Sequence, residues 1–115
     1  MIDRDQQIRA TSTLLGLLTL PGLPAACNWT IRTEYTSRSI VLRGQMDEIG
    51  IAQVADAMAA FGAVLDDVEW ELKRYITGGG TLYLHGRYNG VRVSLWGGLH
   101  NDADVRAAED LGVLA

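Results

Sequence analysis

Apolar residues alternate with polar ones along two early stretches of the chain. This period of two predicts strands over residues 28–34 and 38–44. Pairing Ile31 with Ile40 leaves residues 34–37 as the connection between them. We therefore expect an antiparallel hairpin in the first half of the chain.

The same alternation is clearest over residues 67–97, where it predicts three more strands. Asn89-Gly90 is typical of a two-residue type I′ turn, because both central positions of that turn need positive φ. A turn there fixes the pairing of the last two strands. The predicted pairs are Tyr88 with Val91, Arg87 with Arg92, His85 with Ser94 and Tyr83 with Trp96.

Gly78-Gly79-Gly80 predicts the other turn of this region. No Lys-Ser or Lys-Thr follows it, so we do not interpret it as a phosphate loop. The pairs expected across this turn are Thr77 with Thr81, Glu71 with Arg87 and Lys73 with His85. That register places Arg74 on the core side, so we expect Arg74 near an edge or a bulge.

Helical spacing predicts a first helix that is capped by Asp3 and stopped by residues 21–24. Its apolar stripe is expected to comprise Ile8, Thr11, Leu14, Leu15 and Leu18. A helix this apolar must bury its leucines, either on a sheet or against another subunit.

Two further helices follow from the same spacing. Apolar residues from Ile51 to Phe61 predict the second helix, with Gly62 as a left-handed stop. Asn101 or Asp102 can cap a third helix, which should run to about Leu111.

The predicted order is α-β-β-α-β-β-β-α, with strands that arrive as hairpins. This order predicts a single α+β domain over residues 1–115. We expect a two-layer sandwich in which a mostly antiparallel five-stranded sheet carries helices on one face.

Residues 13–27 resemble the apolar part of a lipoprotein signal that ends at Cys27. Asp3 and Asp5 offset the positive charge of such a leader, and Pro21 interrupts the apolar run. We expect an amphipathic helix instead, in a cytoplasmic protein that does not contact a membrane.

Composition and charge narrow the chemistry further. The 115 residues include 10 Lys and Arg against 14 Asp and Glu, for a net charge of −4, which argues against a DNA-coating protein. Cys27 is the single cysteine, and we interpret it as a buried thiol. With only two histidines besides, we expect no metal and no cofactor.

The sheet face without helices is the candidate partner-binding surface. Its predicted residues are Tyr75, Tyr83, His85, Arg87, Arg92 and Trp96. Tyr, Trp and Arg dominate protein interfaces, and the same residues can stack bases and hold phosphates. Cross-strand pairs that only stabilise the sheet are the third interpretation.

His85 is the one candidate acid–base group on this face, and no catalytic partner stands at a recognisable spacing from it. We therefore expect a non-enzymatic binding module, acting on a protein partner or on a second copy as a homodimer. Single-stranded nucleic acid is the alternative ligand.

Three segments carry a family resemblance. They are residues 20–25 leading into Asn28-Trp29-Thr30-Ile31, Leu42 with Gly44-Gln45, and residues 90–96. Together they resemble small accessory proteins of actinobacterial phages, plasmids and integrated elements. The resemblance implies a cytoplasmic accessory role and a GC-rich source, and it carries over no activity and no functional residues.

Overall fold

A five-stranded sheet with three helices makes up the fold, and the order of elements is the predicted one. The computed structural model describes residues 4–23, 28–33, 39–46 and 51–110, without the side chains of residues 51 and 52. The elements are α1 (Arg4–Leu18), β1 (Asn28–Thr33), β2 (Ile40–Gln45), α2 (Ile51–Gly62), β3 (Asp66–Arg74), β4 (Gly80–Tyr88), β5 (Val91–Leu99) and α3 (Asp102–Asp110).

The sheet is mixed, in the order β1-β2-β5-β4-β3. Three neighbouring pairs are antiparallel, and β2 runs parallel to β5. This parallel pair joins the first hairpin to the three later strands. The predicted α+β sandwich with a mostly antiparallel sheet is therefore confirmed.

The core lies on one face of the sheet, under the helices. Leu42, Leu84 and Leu95 from the strands are fully buried, together with Phe61 and Met58 of α2. Side chains alternate across a strand, so every second strand residue points away from this core. Those residues form the face that the helices leave uncovered.

The β4–β5 hairpin confirms the predicted register. Tyr88 pairs with Val91 and Tyr83 with Trp96. Asn89 and Gly90 have φ values of 51° and 78°, as a type I′ turn requires. A two-residue turn of this type permits one register, which is why the prediction could be specific.

The predicted β3–β4 register was wrong by four residues. Arg74 pairs with Gly80, so Glu71 lies opposite Tyr83 and not Arg87. Lys73 lies opposite Thr81 and not His85. An even shift leaves every side chain on its predicted face.

A longer connection explains this shift. The N–H of Tyr75 donates to the carbonyl of Gly79, and the N–H of Gly78 donates to the carbonyl of Tyr75. The Asp102 carboxylate accepts a hydrogen bond from the N–H of Gly79 at 3.2 Å, which ties the turn to the start of α3. The side chain of Ile76 is fully exposed in this turn.

The β1–β2 register also differs from the prediction, by two residues. Ile31 pairs with Leu42 and not Ile40, and Trp29 pairs with Gly44. Gly44 provides the space for the indole, because a Cβ there would lie 3.1 Å from two Trp29 ring atoms. The connection lengthens to residues 34–39, of which 34–38 lie outside the described residues.

The buried side of α1 is not the predicted stripe. Ala10, Thr13 and Leu17 are buried, while Ile8, Leu15 and Leu18 are 55%, 64% and 48% exposed. The small side chains of Ala10 and Thr13 let the helix lie close to the sheet. Of the predicted stripe, Leu14 is half-buried against the core, while Ile8, Leu15 and Leu18 face outward.

Of the predictions for the other helix ends, one was wrong and one is confirmed. Gly62 is the last residue of α2 and is not among the described glycines with positive φ, so the predicted left-handed stop was wrong. The side-chain oxygen of Asn101 accepts the N–H of Asp104 at 2.9 Å, which confirms an N-cap of α3. Asp3, Cys27 and Leu111 lie outside the described residues.

Arg74 lies at the end of the edge strand β3, as predicted, and forms an ion pair with Glu109 of α3. The irregularity in this strand falls elsewhere, between Asp66 and Glu69, where Asp67 has a φ of 53°. Among the described helices, none is long and apolar enough to cross a membrane.

Candidate binding face on the open side of the sheet

The open sheet face is the side of the sheet opposite the three described helices. Strand alternation and the observed registers define its members. They are Asn28, Thr30, Arg32, Val41, Arg43, Gln45, Glu69, Glu71, Lys73, Thr81, Tyr83, His85, Arg87, Arg92, Ser94, Trp96 and Gly98.

Five of the six residues predicted for the partner-binding surface lie on this face. They are Tyr83, His85, Arg87, Arg92 and Trp96. Tyr75 follows the end of β3, and its hydroxyl contacts the hydroxyl of Thr81, a buried member of the face. Tyr75 therefore borders the open sheet face at its β3–β4 end.

The centre of the face is a network around His85. Its ring stacks on Tyr83, with centroids 5.5 Å apart and planes 14° from parallel. Nδ1 of His85 lies 2.8 Å from Oγ of Ser94, and Nε2 lies 3.0 Å from Oε1 of Glu71. Three adjacent strands are thus joined through one imidazole.

Ser94, His85 and Glu71 are linked side chain to side chain, in the same order of groups as a hydrolase triad. Ser94 is only 7% exposed, in the middle of β5. Because β5 is paired on both sides, by β2 and β4, its backbone N–H groups belong to the sheet and form no oxyanion hole. The arrangement therefore suits a role in fixing the face and not acyl transfer.

Glu71 is the member of this network that the sequence did not place there. The predicted register had placed Glu71 opposite Arg87, which lies two rows along β4 from its observed partner Tyr83. The observed register brings it diagonally next to His85. Only the length of the connection after β3 decides between the two positions.

Arginines cover the opposite half of the face. Arg32, Val41, Arg92 and Arg87 form one straight row across β1, β2, β5 and β4. Arg43 lies in the next row, opposite Ser94. Sequence reasoning did not place Arg32 and Arg43 on this surface, because nothing local in the sequence predicts that β2 lies beside β5.

Carboxylates collect at the other edge. Glu69 and Glu71 belong to β3, the edge strand farthest from β1, and the exposed Lys73 follows them on the same face. Between the two charged regions, Trp96 and Tyr83 form a cross-strand pair. The open sheet face therefore presents a basic half, an aromatic centre and an acidic edge within a chain whose net charge is −4.

A shallow groove of about 200 Å³ runs over the basic half. The described residues that line it are polar apart from Trp96, and none of them is a carboxylate. The lining residues are Asn28, Thr30, Arg32, Arg43, Gln45 and Trp96. Guanidinium groups beside a half-buried indole can hold an anionic group and an apolar group together.

In the part of the chain that the structure describes, no three His, Cys, Asp or Glu side chains lie close enough together to hold a metal ion. Comparison with protein-family models, with curated proteins and with solved structures found no match. The function is therefore argued from the geometry of the open sheet face.

Proposed function

We propose that this protein is a non-enzymatic binding module whose open sheet face holds a protein partner. The observation that carries the proposal is the division of charge on one continuous surface. Arg32, Arg43 and Arg92 lie on one side, and the Trp96–Tyr83 pair lies in the middle. On the other side, Glu69 and Glu71 outnumber the single cation Lys73.

A protein can match such a surface because it can present both signs of charge. The partner would place carboxylates over the arginines, a basic group over β3 and an apolar side chain over the aromatic pair. Complementary charge sets specificity and association rate, while a central aromatic residue supplies much of the affinity. The face meets both requirements.

The experiment is affinity capture with matched charge reversals. Arg43→Glu reverses a charge in the basic half, and Arg106→Glu reverses an exposed arginine on α3 in the helix layer. We expect a partner that wild type and Arg106→Glu retain and that Arg43→Glu loses. With the purified partner, Trp96→Ala should weaken binding about tenfold or more.

Two results would overturn this proposal. One is a partner held equally by wild type, Arg43→Glu and Trp96→Ala, which would place the contact elsewhere. The other is equal loss with Arg43→Glu and Arg106→Glu, which would show that net charge alone decides retention.

Single-stranded nucleic acid is the second candidate ligand, favoured by the groove over the basic half. Arg32 and Arg43 line it beside Trp96, and a base could stack on the indole while the guanidiniums contact phosphates. The test is binding of a labelled oligonucleotide at increasing salt, with Arg32→Gln and Arg43→Gln as variants. No binding at low salt removes this candidate.

A homodimer is part of the proposal, through α1. The exposed side chains of Ile8, Leu15 and Leu18 form an apolar stripe on the outer side of this helix. A second copy would cover them. A cytoplasmic accessory role in an actinobacterial phage or mobile element, which the sequence resemblance implies, completes the proposal.

A further inference from the structure

Strand β3 forms one edge of the described sheet and is the most exposed of its strands. All of its residues are exposed except Trp70 and Leu72, which are half-buried. In the described sheet β3 is paired on one side, by β4, so every second residue directs its N–H and C=O groups outward. Such an edge is a template on which another strand can pair. We name residues 68–74 the β3 edge.

Apolar side chains follow the β3 edge on its helix side. Trp70 and Leu72 pack against the core and are still half-buried. Val68 is exposed beside the end of α2, where its Cγ1 lies 3.8 Å from the position of a Cβ on Gly62. Neighbouring strands cover each other's side chains on a shared face. One more strand beside β3 would therefore bury apolar surface that the helices leave partly open.

Charged side chains follow the same edge on its open side. Glu69 and Glu71 are exposed there, and Lys73 comes next on the same face. A strand that complements this row carries two basic residues and one acidic residue on that side, with apolar residues at the positions between them. Read from its own N-terminus, an antiparallel partner strand is therefore acidic, apolar, basic, apolar, basic.

The same charges disfavour a second copy of the chain as the occupant. An antiparallel copy that sets Trp70 against Leu72 also sets Glu71 against the same carboxylate of the copy, and like charges in that position are destabilising. The irregularity between Asp66 and Glu69, where Asp67 has a φ of 53°, ends regular pairing at that point. Bulges and edge charges of this kind prevent indiscriminate pairing and leave residues 69–74 for a complementary strand.

We propose that the β3 edge accepts a strand of the protein partner in which apolar residues alternate with mainly basic ones. Backbone hydrogen bonds along the edge supply affinity, and the alternating side chains supply specificity. This inference rests on the proposed function, because the strand belongs to the partner that the open sheet face holds. It specifies the segment through which that partner reaches β3.

The first test titrates a synthetic hexapeptide, Thr-Glu-Val-Lys-Val-Lys with blocked termini, into the full chain. We expect saturable NMR shifts for the amides of residues 69–74 and slower hydrogen exchange at alternate amides among them. Glu69→Lys should weaken peptide binding at least about fivefold, since attraction becomes repulsion. Asp56→Lys is the matched control, because it reverses an exposed carboxylate on α2 and changes the net charge equally.

A second test asks whether the backbone of the peptide pairs with β3. Two N-methylated forms are compared, one modified at its Thr and Val residues and the other at its Glu and Lys residues. Only one of these alternating sets of N–H groups faces β3 in a paired strand, so we expect one form to lose binding and the other to keep it. Equal affinity of the two forms would overturn the proposal, because attraction by charge alone does not distinguish them.

Three further results would also overturn it. The first is the absence of shifts in residues 69–74 at every peptide concentration. The second is equal weakening of peptide binding by Asp56→Lys and Glu69→Lys. The third is a shift of these amides when the protein alone is concentrated, which would show that a second copy occupies the edge.

The failure of this inference can be told apart from the failure of the proposed function. Arg43→Glu should leave peptide affinity unchanged, because β5 and β4 separate β2 from β3. If the peptide does not bind while Arg43→Glu still loses a captured partner, only the inference about the β3 edge fails. If the peptide binds as expected while Arg43→Glu and Trp96→Ala retain the captured partner, the proposed function fails and strand pairing at β3 stands.

Discussion

The side chains of Glu71 and His85 meet diagonally across β3 and β4, with Oε1 3.0 Å from Nε2. The other ring nitrogen of His85 lies 2.8 Å from the hydroxyl of Ser94 on β5. The two contacts differ in burial, since the Glu71 side chain is 59% exposed while Ser94 is nearly covered. Water competes for the first contact much more than for the second.

This difference in burial predicts unequal coupling energies. A double-mutant cycle of His85→Ala with Ser94→Ala should give about 1 kcal/mol, and one of His85→Ala with Glu71→Ala should give less than about 0.5 kcal/mol. Urea unfolding of the single and double variants measures both values. A larger coupling for Glu71 than for Ser94 would contradict the role given to burial here.

Local sequence signals were sufficient where one short turn determines the pairing. Asn89-Gly90 fixes the β4–β5 register because both residues must take positive φ, so the positions of Tyr83, His85, Arg87 and Trp96 followed from the sequence. Asn101 as the cap of α3 is equally local. These features need no knowledge of distant parts of the chain.

Features that depend on distant contacts were not predictable in the same way. The Gly44–Trp29 contact sets the β1–β2 register, and the bond from Gly79 to Asp102 lengthens the β3–β4 turn. The parallel pairing of β2 with β5 brings Arg43 to the candidate site, and no residue pattern signals it. The buried side of α1 was missed because the small residues Ala10 and Thr13 lie on it together with Leu17.

The adjacent glycines at the end of β5 are expected to differ in their tolerance of one added methyl group. A Cβ on Gly97 would lie 2.7 Å from Cγ1 of Val54 on α2, so Gly97→Ala should lower the free energy of unfolding by about 1–3 kcal/mol through overpacking. Gly98 is the matched control, because nothing lies within 4 Å of a Cβ there.

Chemical unfolding of the two variants checks this contrast. Gly98→Ala should change the free energy of unfolding by no more than about 0.5 kcal/mol. Equal losses at both positions would mean that α2 does not pack closely against β5.

Substitution of Gly90 tests the turn that defines the site. Gly90→Ala puts a Cβ at a φ of 78°, which should cost about 1–2 kcal/mol of folding free energy. Asn89→Gly is the control, because glycine adopts the φ of 51° at that position without strain. Thermal unfolding separates the two, and a fully tolerated Gly90→Ala would argue against the type I′ turn.

The two sides of α1 should separate folding from self-association. Leu17 is fully buried, so Leu17→Ala should lower the free energy of unfolding by about 2–5 kcal/mol. Leu15→Ser and Leu18→Ser change exposed side chains, and each should cost less than about 0.5 kcal/mol in the monomer. If a second copy covers this stripe, the same two variants should weaken the dimer.

Light scattering at increasing protein concentration measures that association. Wild type should approach twice the monomer mass, and Leu15→Ser with Leu18→Ser should stay near the monomer mass. Ile76→Ser is the matched control, because Ile76 is a fully exposed apolar residue in the β3–β4 turn, away from α1. A wild type that remains monomeric at high concentration refutes the dimer, and equal dissociation by Ile76→Ser would show that general surface hydrophobicity, and not the stripe on α1, drives association.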